Sequence, residues 1–341
     1  MRQMIRTYIA LAALVIAAPL SAQEQSDAGF SSDAILALKG LQLLDDRVNT
    51  IGYRLIAANA AFCEPKIAQT GLMLHDIDQY PDQALARFAL GIDGRVAVNA
   101  VAPDSPAERA GLLVRDTILA INGQKIEDIA LDDPALAKQP PEYRRIAAVN
   151  DQLDKALARG DVTLDILRGG EQRQLTVESR PACPSRFQIS VSEDRSASAN
   201  GEIVSISSAM AEYFLDDAEF AAVIAHELAH NLLQHRDRLD AQDVNRGFFG
   251  QFGKSAGRIK DTEIEADRLS VWLMANAGYD PDAAVRFWTR YGKEHGKGIL
   301  SASTHYRWKK RVELFVEEIA KMAAMEPVDG KYPPPLLAGS D

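Results

Sequence analysis

The segment Phe220–His230 constrains this chain more than any other, because it joins an apolar run to the pattern H-E-x-x-H. The run Phe220–Ala225 predicts a helix, and residues four apart on a helix lie on one face. His226 and His230 are therefore expected to point the same way, with Glu227 close beside them. Two such imidazoles can share a zinc ion, and a glutamate in this position can act as a general base toward water. The alternative is a solvated face of His and Glu on an ordinary helix.

A catalytic zinc site needs a third protein ligand. His235 follows His230 by five residues and leaves the ligand face of a continuous helix, so we interpret it as a helix-end residue, with a ligand role as the alternative. A third histidine six residues after the second is excluded, because that position is Arg236 and no glycine turn precedes it. The other solution is a carboxylate from a second helix. A helix is predicted over 261–276, and it contains the acidic motif Glu263-Ile264-Glu265-Ala266-Asp267.

The chain before this region has two parts with different sequence patterns, one helical and one β-like. Apolar residues at helical spacing predict a helix over Asp33–Ala61, which Gly40 and Gly52 weaken and could divide. Residues 66–180 instead alternate short β-like runs with turns, of which Asn122-Gly123 and Gly169-Gly170 are typical of hairpins. The predicted strands are Gly71–Leu74, Val96–Val101, Thr117–Ile121, Val162–Leu167 and Gln172–Val177, followed by Phe187–Val191 and Glu202–Ile206.

Several short motifs in the middle segment resemble a PDZ domain of the bacterial protease-associated type. They are Val98-x-x-Val101, Ser105-Pro106-Ala107, Ala110-Gly111-Leu112, Asp116-x-Ile118-Leu119 and Ile121-Asn122-Gly123. Arg115 stands where such domains usually have Gly. The resemblance implies a groove that accepts an extended peptide or a peptide C-terminus by strand addition, with Glu142–Arg159 as the groove helix. Its carboxylate-binding loop would be Thr70-Gly71-Leu72 or Phe88–Gly91.

Three separated motifs carry a second resemblance. H-E-x-x-H at 226–230 is followed by E-x-x-A-D at Glu263–Asp267 and, near the C-terminus, by Thr304-His305 with Arg311 six residues later. In this order they resemble the zinc metallopeptidase family that includes the CAAX prenyl proteases, HtpX and BepA, in a soluble periplasmic form. That family usually has Pro after the last histidine, where this chain has Tyr306.

The peptidase resemblance implies a ligand set for one Zn²⁺ per chain. The ligands would be His226, His230 and Glu263, with Glu265 as the alternative to Glu263. It also implies that Asp267 orients a ligand histidine through a hydrogen bond.

The same resemblance assigns catalytic roles. Glu227 would be the general base, and His305 would lie near the zinc as a second candidate catalytic residue. His305 could act as a latch in the open coordination position or as a stabiliser of the oxyanion, and these two roles stay open. Arg311 would support the site from behind the ligands.

The N-terminus predicts a targeting segment. Arg2 and Arg6 precede an apolar run, Tyr8–Ala18, and a small residue, Ala22, precedes the change to polar sequence. We interpret residues 1–22 as a signal peptide, with an uncleaved anchor as the alternative, and expect a periplasmic or otherwise exported protein.

The two cysteines predict a disulfide, and the net charge limits the classes of binding partner. An exported chain with two cysteines, Cys63 and Cys183, is expected to pair them in a disulfide that flanks the PDZ-like segment. The net charge of −10 and the lack of a later basic block argue against nucleic acid as a partner. No later stretch is apolar for long enough to span a bilayer.

These inferences combine into an α+β chain: a mainly helical zincin-type metallopeptidase domain with a small sheet, interrupted by a β-rich PDZ-like domain. The predicted function is a zinc-dependent endopeptidase acting on exported, unfolded or misassembled proteins, in which the PDZ-like module binds peptide or regulates cleavage. The alternative is a peptide-binding, chaperone-like protein with a latched or structural metal site. The predicted parts are the signal peptide (1–22), an N-terminal helical segment of the peptidase domain (23–65), the PDZ-like domain (66–181), the catalytic domain (182–325) and a Pro-rich tail (326–341).

Overall fold

A computed structural model describes residues 29–242, 253–295 and 307–337. Helices and strands both contribute substantially, which confirms the predicted α+β class. The helices within these ranges are α1 (Ser32–Ala58), α2 (Gln83–Leu90), α3 (Pro106–Arg109), α4 (Arg144–Leu157), α5 (Ser208–Ala211), α6 (Asp217–Leu232), α7 (His235–Ala241), α8 (Gly253–Asn276), α9 (Asp282–His295) and α10 (Trp308–Ala323).

The strands within the described residues form three separate sheets. They are β1 (Ile67–Gln69), β2 (Leu72–Asp76), β3 (Val96–Val101), β4 (Thr117–Ile121), β5 (Gln124–Lys125), β6 (Val162–Arg168), β7 (Glu171–Val177), β8 (Arg180–Ala182), β9 (Arg186–Ser190), β10 (Ala197–Ala199) and β11 (Ile203–Ser207). The largest sheet has the order β2-β3-β4-β6-β7, with β5 paired to β4. The other two are the pair β1-β8 and the three-stranded sheet β10-β11-β9.

The largest sheet has its own hydrophobic core beneath α4. Along β6 the apolar residues Val162, Leu164 and Ile166 alternate with half-buried residues, so one face of the strand packs inward. They meet Val149 and Leu153 of α4 in one cluster of buried side chains. The sheet and α4 therefore bury a core that is distinct from the one around α6.

The middle segment leaves and rejoins the rest of the chain at one point. Its first and last strands, β1 and β8, pair antiparallel, with Ile67 opposite Ala182. One step further out, Cys63 and Cys183 form a disulfide with Cα atoms 5.3 Å apart, which confirms the predicted bridge. The two strands escaped prediction because each has three residues and Pro181 interrupts the second.

Helix α1 packs against both the core around α6 and the middle segment. It is one continuous helix of 27 residues, not two pieces, and Ser31 caps it by accepting a hydrogen bond from Ala34 N. Its second half packs Val48, Ile51 and Leu55 into the core around α6.

The first half of α1 packs on the middle segment instead. There Ile35 and Leu38 pack against a small cluster of buried residues that includes Ala86 and Leu90 of α2. Where the two halves meet, the Asp45 carboxylate accepts hydrogen bonds from Asn99 Nδ2 on β3 at 2.9 Å and from Ile189 N on β9 at 3.2 Å. One helix thus positions the largest sheet against the core that contains α6.

Gly52 is the point of closest approach between α1 and β9. A Cβ added to it would lie 2.3 Å from the Phe187 ring, whereas a Cβ added to Gly40 would meet nothing within 4 Å. The helix therefore continues through both glycines for different reasons, and only Gly52 is required by packing.

Replacing Gly52 with Ala is expected to lower the free energy of unfolding by about 1–3 kcal/mol, because the aromatic ring has no room to move in the core. The matched change Gly40→Ala should raise it by about 0.5–1 kcal/mol, since Gly40 is exposed and Ala favours helix. Denaturant titration of the two variants measures both effects. Equal stability of the two variants would contradict the packing assigned to Gly52.

The core around α6 is formed by helices and the three-stranded sheet. Phe220 and Ile224 of α6 pack with Trp272 of α8, Phe287 of α9 and Phe315 of α10. In the sheet, β9 and β11 are parallel, while β10 pairs antiparallel with β11 and forms an edge. Strand β10 was not predicted, because Ala-Ser-Ala lacks β-branched residues.

The C-terminal segment, which the sequence indicates only as a Pro-rich tail, is docked on the helices. Tyr332 N donates to Asn276 Oδ1 at 2.7 Å, and Asn276 Nδ2 donates back to Tyr332 O at 2.9 Å. Asn276 Nδ2 also reaches Asn59 Oδ1 at 2.9 Å, so the ends of α1 and α8 and the tail meet at this amide. Among the residues that the structure describes, no helix combines the length and apolar character that crossing a bilayer requires.

Candidate metal centre

Helix α6 carries the H-E-x-x-H motif through the middle of the core. Asp216 caps the start of the helix, and its side chain accepts a hydrogen bond from Glu219 N at 2.8 Å. Residues 219–226 are buried on every side, so the helix is central and its orientation is fixed by packing. One turn apart, His226 and His230 point into the same space, with their Nε2 atoms 3.2 Å apart.

A carboxylate from α8 completes a three-residue cluster. Glu263 Oε2 lies 3.5 Å from His226 Nε2, and Glu263 Oε1 lies 3.5 Å from His230 Nε2. A tetrahedral zinc ion with bonds of about 2.0–2.1 Å separates its ligand atoms by about 3.3 Å, so the spacing and the N, N, O donor set both fit this metal. Within the described ranges this is the one group of His, Cys, Asp or Glu side chains with metal-binding geometry.

Behind His226 stand an aspartate and an arginine. His226 Nδ1 lies 2.8 Å from Asp267 Oδ1, and both residues are buried. Arg311 donates to the same oxygen from Nε at 2.9 Å and from Nη2 at 2.5 Å. Its guanidinium stacks on the Trp288 ring at 3.5 Å. His226 thus directs Nδ1 at Asp267 and Nε2 at Glu263.

In this cluster, burial and the neighbouring charges shift the pKa values of Asp267 and His226 in opposite directions. Burial raises the pKa of Asp267, but Arg311 and His226 outweigh it and hold that pKa below its ordinary value. Burial and the Arg311 cation lower the pKa of His226, but Asp267 and Glu263 outweigh them and raise it to about 9. For His230 burial prevails and lowers the pKa to about 3, which leaves a neutral imidazole.

His230 has a different support. Its Nδ1 lies 2.9 Å from Nδ1 of His235, and His235 Nε2 lies 3.0 Å from Glu265 Oε2. Arg238 in turn donates to both oxygens of Glu265, at 2.7 and 3.3 Å. His235 therefore contacts one candidate ligand directly, and Glu265 lies one residue further out.

The Glu227 carboxylate, unlike these side chains, has no hydrogen-bond partner among the described residues. The residue is partly exposed. Burial of the carboxylate raises the pKa of Glu227 to about 7, a value suited to taking and releasing a proton near neutral pH.

The structure brings together the predicted site residues that lie on α6, α8 and α10. His226, His230 and Glu263 form the cluster, and Asp267 and Arg311 lie behind it as described above. His305 lies outside the described residues. The contacts of His235 and Glu265 were missed, because the prediction treated 226–235 as one helix, whereas Gln234 has φ 52° and α7 starts in a new direction.

The end of α6 also fixes the neighbouring edge of the small sheet. Asn231 Oδ1 accepts a hydrogen bond from Gly201 N at 2.7 Å, and Arg236 Nη1 donates to Asn200 O at 2.9 Å. These bonds hold the turn between β10 and β11, so the edge strand β10 lies beside the helix that carries both histidines.

A helix bearing H-E-x-x-H that faces a carboxylate on a second helix is the arrangement of zinc-dependent peptidases. Sequence comparison agrees for the corresponding part of the chain, because residues 179–256 match the profile of peptidase family M48. Residues 97–144 match the profile of a PDZ domain. The M48 match ends before Glu263, so the contributions of α8 and α10 rest on the distances given above.

The individual relatives are metallopeptidases. Part of the chain is similar to mitochondrial metalloendopeptidase OMA1 of Schizosaccharomyces pombe, with 31% identity over 118 residues, or 28% of this chain and 35% of that protein. The Arabidopsis thaliana protein of the same name is 30% identical over 134 residues, covering 34% of this chain and 27% of the relative. The chain thus spans well under two thirds of these relatives. The narrower likeness to CAAX prenyl proteases, HtpX and BepA stays a prediction.

The predicted periplasmic or exported location is wrong, because the relatives that match are mitochondrial proteins. The prediction rested on Arg2, Arg6 and the apolar run Tyr8–Ala18. Basic residues and apolar residues occur together in targeting segments for more than one destination, so this composition could not identify the compartment. The predicted signal peptide, residues 1–22, lies outside the described residues.

Proposed function

We propose that this chain is a zinc-dependent metalloendopeptidase whose metal is held by His226, His230 and Glu263. The observation that carries the proposal is the spacing of 3.2–3.5 Å among two imidazole nitrogens and a carboxylate, which fits a tetrahedral ion. The M48 match over the same helix and the names of the two relatives support it.

The chain's own residues divide the work of peptide hydrolysis. A zinc ion held there would polarise the substrate carbonyl and make a water molecule easier to deprotonate. Glu227 takes a proton from the attacking water as its oxygen bonds to the carbonyl carbon, and then gives that proton to the amide nitrogen as the C–N bond breaks. Asp267 keeps the Nδ1 proton of His226 in place throughout, so that Nε2 stays available.

An extended polypeptide is the substrate class that the sheet edge beside the candidate centre favours. Strand β10 is the edge of its sheet, and its turn into β11 is held by Asn231 and Arg236 next to the candidate centre. A peptide added antiparallel to β10 would run past Glu227 with its backbone fixed by strand hydrogen bonds. Such binding requires an unfolded or misassembled segment, because a folded chain cannot offer an unpaired strand.

We further propose that residues 66–181 act as a PDZ-like unit inserted between the N-terminal helical segment and the catalytic part, 182–325. Strand β2 is an edge of the large sheet, and Thr70-Gly71-Leu72 leads into it. The alternative loop, Phe88–Gly91, is the end of α2, with Gly91 as its left-handed cap, and it packs toward α1. The first loop therefore suits a peptide carboxylate better, and the edge of β2 together with α4 would form the groove.

Removal of the metal is the direct test of the proposed activity. Treatment of the full chain with a chelator is expected to reduce hydrolysis of an unfolded protein such as reduced casein to background, and one equivalent of zinc should restore it. Cleavage is measured by release of soluble peptides. A zinc-loaded chain that binds the unfolded protein and never cleaves it would replace this proposal by the chaperone-like alternative.

A further inference from the structure

His235 has no role in the proposed reaction, yet it is 2% exposed and contacts a candidate ligand. The left-handed residue Gln234 ends the direction of α6, so α7 turns back and carries His235 to the outer side of His230. Both ring nitrogens of His235 are engaged, Nδ1 with His230 and Nε2 with Glu265. It therefore has no nitrogen left for the metal, which excludes the ligand role that the sequence had left open.

The hydrogen-bonding capacity of each group fixes where the protons lie. A carboxylate accepts only, and Glu265 is held as a carboxylate by Arg238, which donates to both of its oxygens. The hydrogen bond at 3.0 Å thus requires a proton on His235 Nε2. A neutral imidazole protonated there has an acceptor at Nδ1, so the contact of 2.9 Å requires the proton of His230 to lie on its own Nδ1.

We infer that His235 is a positioning residue that sets the metal-binding tautomer of His230, with Glu265 as the group that sets the tautomer of His235. The consequence is that the Nε2 lone pair of His230 faces Glu263 before any metal arrives. This inference rests on the proposed function, since it takes His226, His230 and Glu263 as the ligands.

The two ligand histidines are supported in chemically different ways. His226 donates directly to a carboxylate, Asp267, whereas His230 donates to a neutral imidazole that then donates to a carboxylate. An apolar side chain at 235 would remove the acceptor without leaving a buried charge. The expected effect is therefore on the tautomer and orientation of His230 rather than on the charge of the centre.

Zinc affinity of the full chain tests this, measured by competition with a chromogenic chelator. His235→Leu should weaken zinc binding by about 10–100-fold, the range typical for loss of a residue that hydrogen-bonds a ligand histidine. His235→Gln should restore affinity to within a few-fold, because one amide can accept from His230 and donate to Glu265. The matched control is Asp237→Asn on the same helix, an exposed residue that should leave affinity unchanged.

The absorption spectrum of the Co²⁺-substituted protein provides a readout that loss of packing alone would not move. His235→Leu should alter the ligand-field bands, while His235→Gln and Asp237→Asn should keep the wild-type spectrum. If His235→Leu fails to fold, Glu265→Lys replaces it, because Glu265 is 29% exposed and the substitution is tolerable there. A lysine at 265 would donate to His235 Nε2, which moves the His235 proton to Nδ1. His235 Nδ1 would then be a donor facing the Nδ1–H of His230, so the same loss of affinity is expected.

The outcomes separate this inference from the proposed function. Failure of the wild-type chain to bind zinc would overturn the proposed function. Tight zinc binding by the wild type with equal affinity in His235→Leu, or in Glu265→Lys where the first variant does not fold, would overturn the role of His235 alone.

Discussion

Replacing Glu227 with Gln is expected to reduce peptide hydrolysis by about 10²–10⁴-fold and to leave zinc affinity unchanged. The amide has nearly the same shape as the carboxylate but cannot accept a proton from water. Zinc affinity should persist, because the three candidate ligands lie within 3.5 Å of one another without any contribution from Glu227. The large loss is expected because no other described carboxylate in the centre is free of a structural contact.

The experiment compares cleavage of reduced casein by wild type, Glu227→Gln and the matched control Glu212→Gln. Glu212 is an exposed glutamate at the end of α5, so its substitution should retain wild-type cleavage. Zinc content is measured in parallel on each preparation. Equal cleavage by wild type and Glu227→Gln would reject Glu227 as the general base.

The sequence was most informative where chemistry imposes a spacing. Two histidines four apart on a helix must share a face, so the proximity of His226 and His230 followed from the pattern alone. The position of Glu263 beside the two histidines depends on how α6 and α8 pack, which no local spacing specifies. Only the family resemblance predicted Glu263 as a ligand. The same limit explains why Glu265 looked like a competing ligand, although the structure directs it to His235 and Arg238.

His235 shows how one backbone angle can hide a site residue. On a continuous helix it would leave the face of His230, and the prediction made that assumption. Gln234 adopts φ 52°, a conformation uncommon for residues other than glycine, and a glutamine in the sequence does not predict it. A pattern of helical spacing cannot register a change of helix direction at a single residue.

The disulfide and the location show that a correct contact can follow from an incomplete argument. Cys63 and Cys183 were paired partly because export was expected, and the bridge is present although that location is wrong. What made the pairing sound was position, since the two cysteines flank a segment whose end strands β1 and β8 lie side by side. A bridge at the base of a long insertion restricts the unfolded chain whatever the compartment.

Replacing Arg311 with Met is expected to lower the free energy of unfolding by about 3–5 kcal/mol, a large effect for one side chain. Arg311 is 5% exposed and donates twice to the buried Asp267 carboxylate. Methionine can fill the space against Trp288, but it leaves the carboxylate without its guanidinium in a region that water does not reach. Denaturant titration of the full chain measures the loss.

A double variant separates this charge effect from packing. The double variant Arg311→Met with Asp267→Asn also removes the buried negative charge. Its loss of unfolding free energy should therefore be smaller than the sum of the losses in the two single variants, by a coupling of about 0.5–3 kcal/mol. The matched control is Arg286→Gln, which breaks a pair with Asp280 at 2.8 Å whose side chains are 49% and 53% exposed. Solvent screens that pair, so its loss should cost less than about 1 kcal/mol. Similar losses for Arg311→Met and Arg286→Gln would show that the buried pair behaves like a surface one, and Asp267 would then have to be stabilised by something other than Arg311.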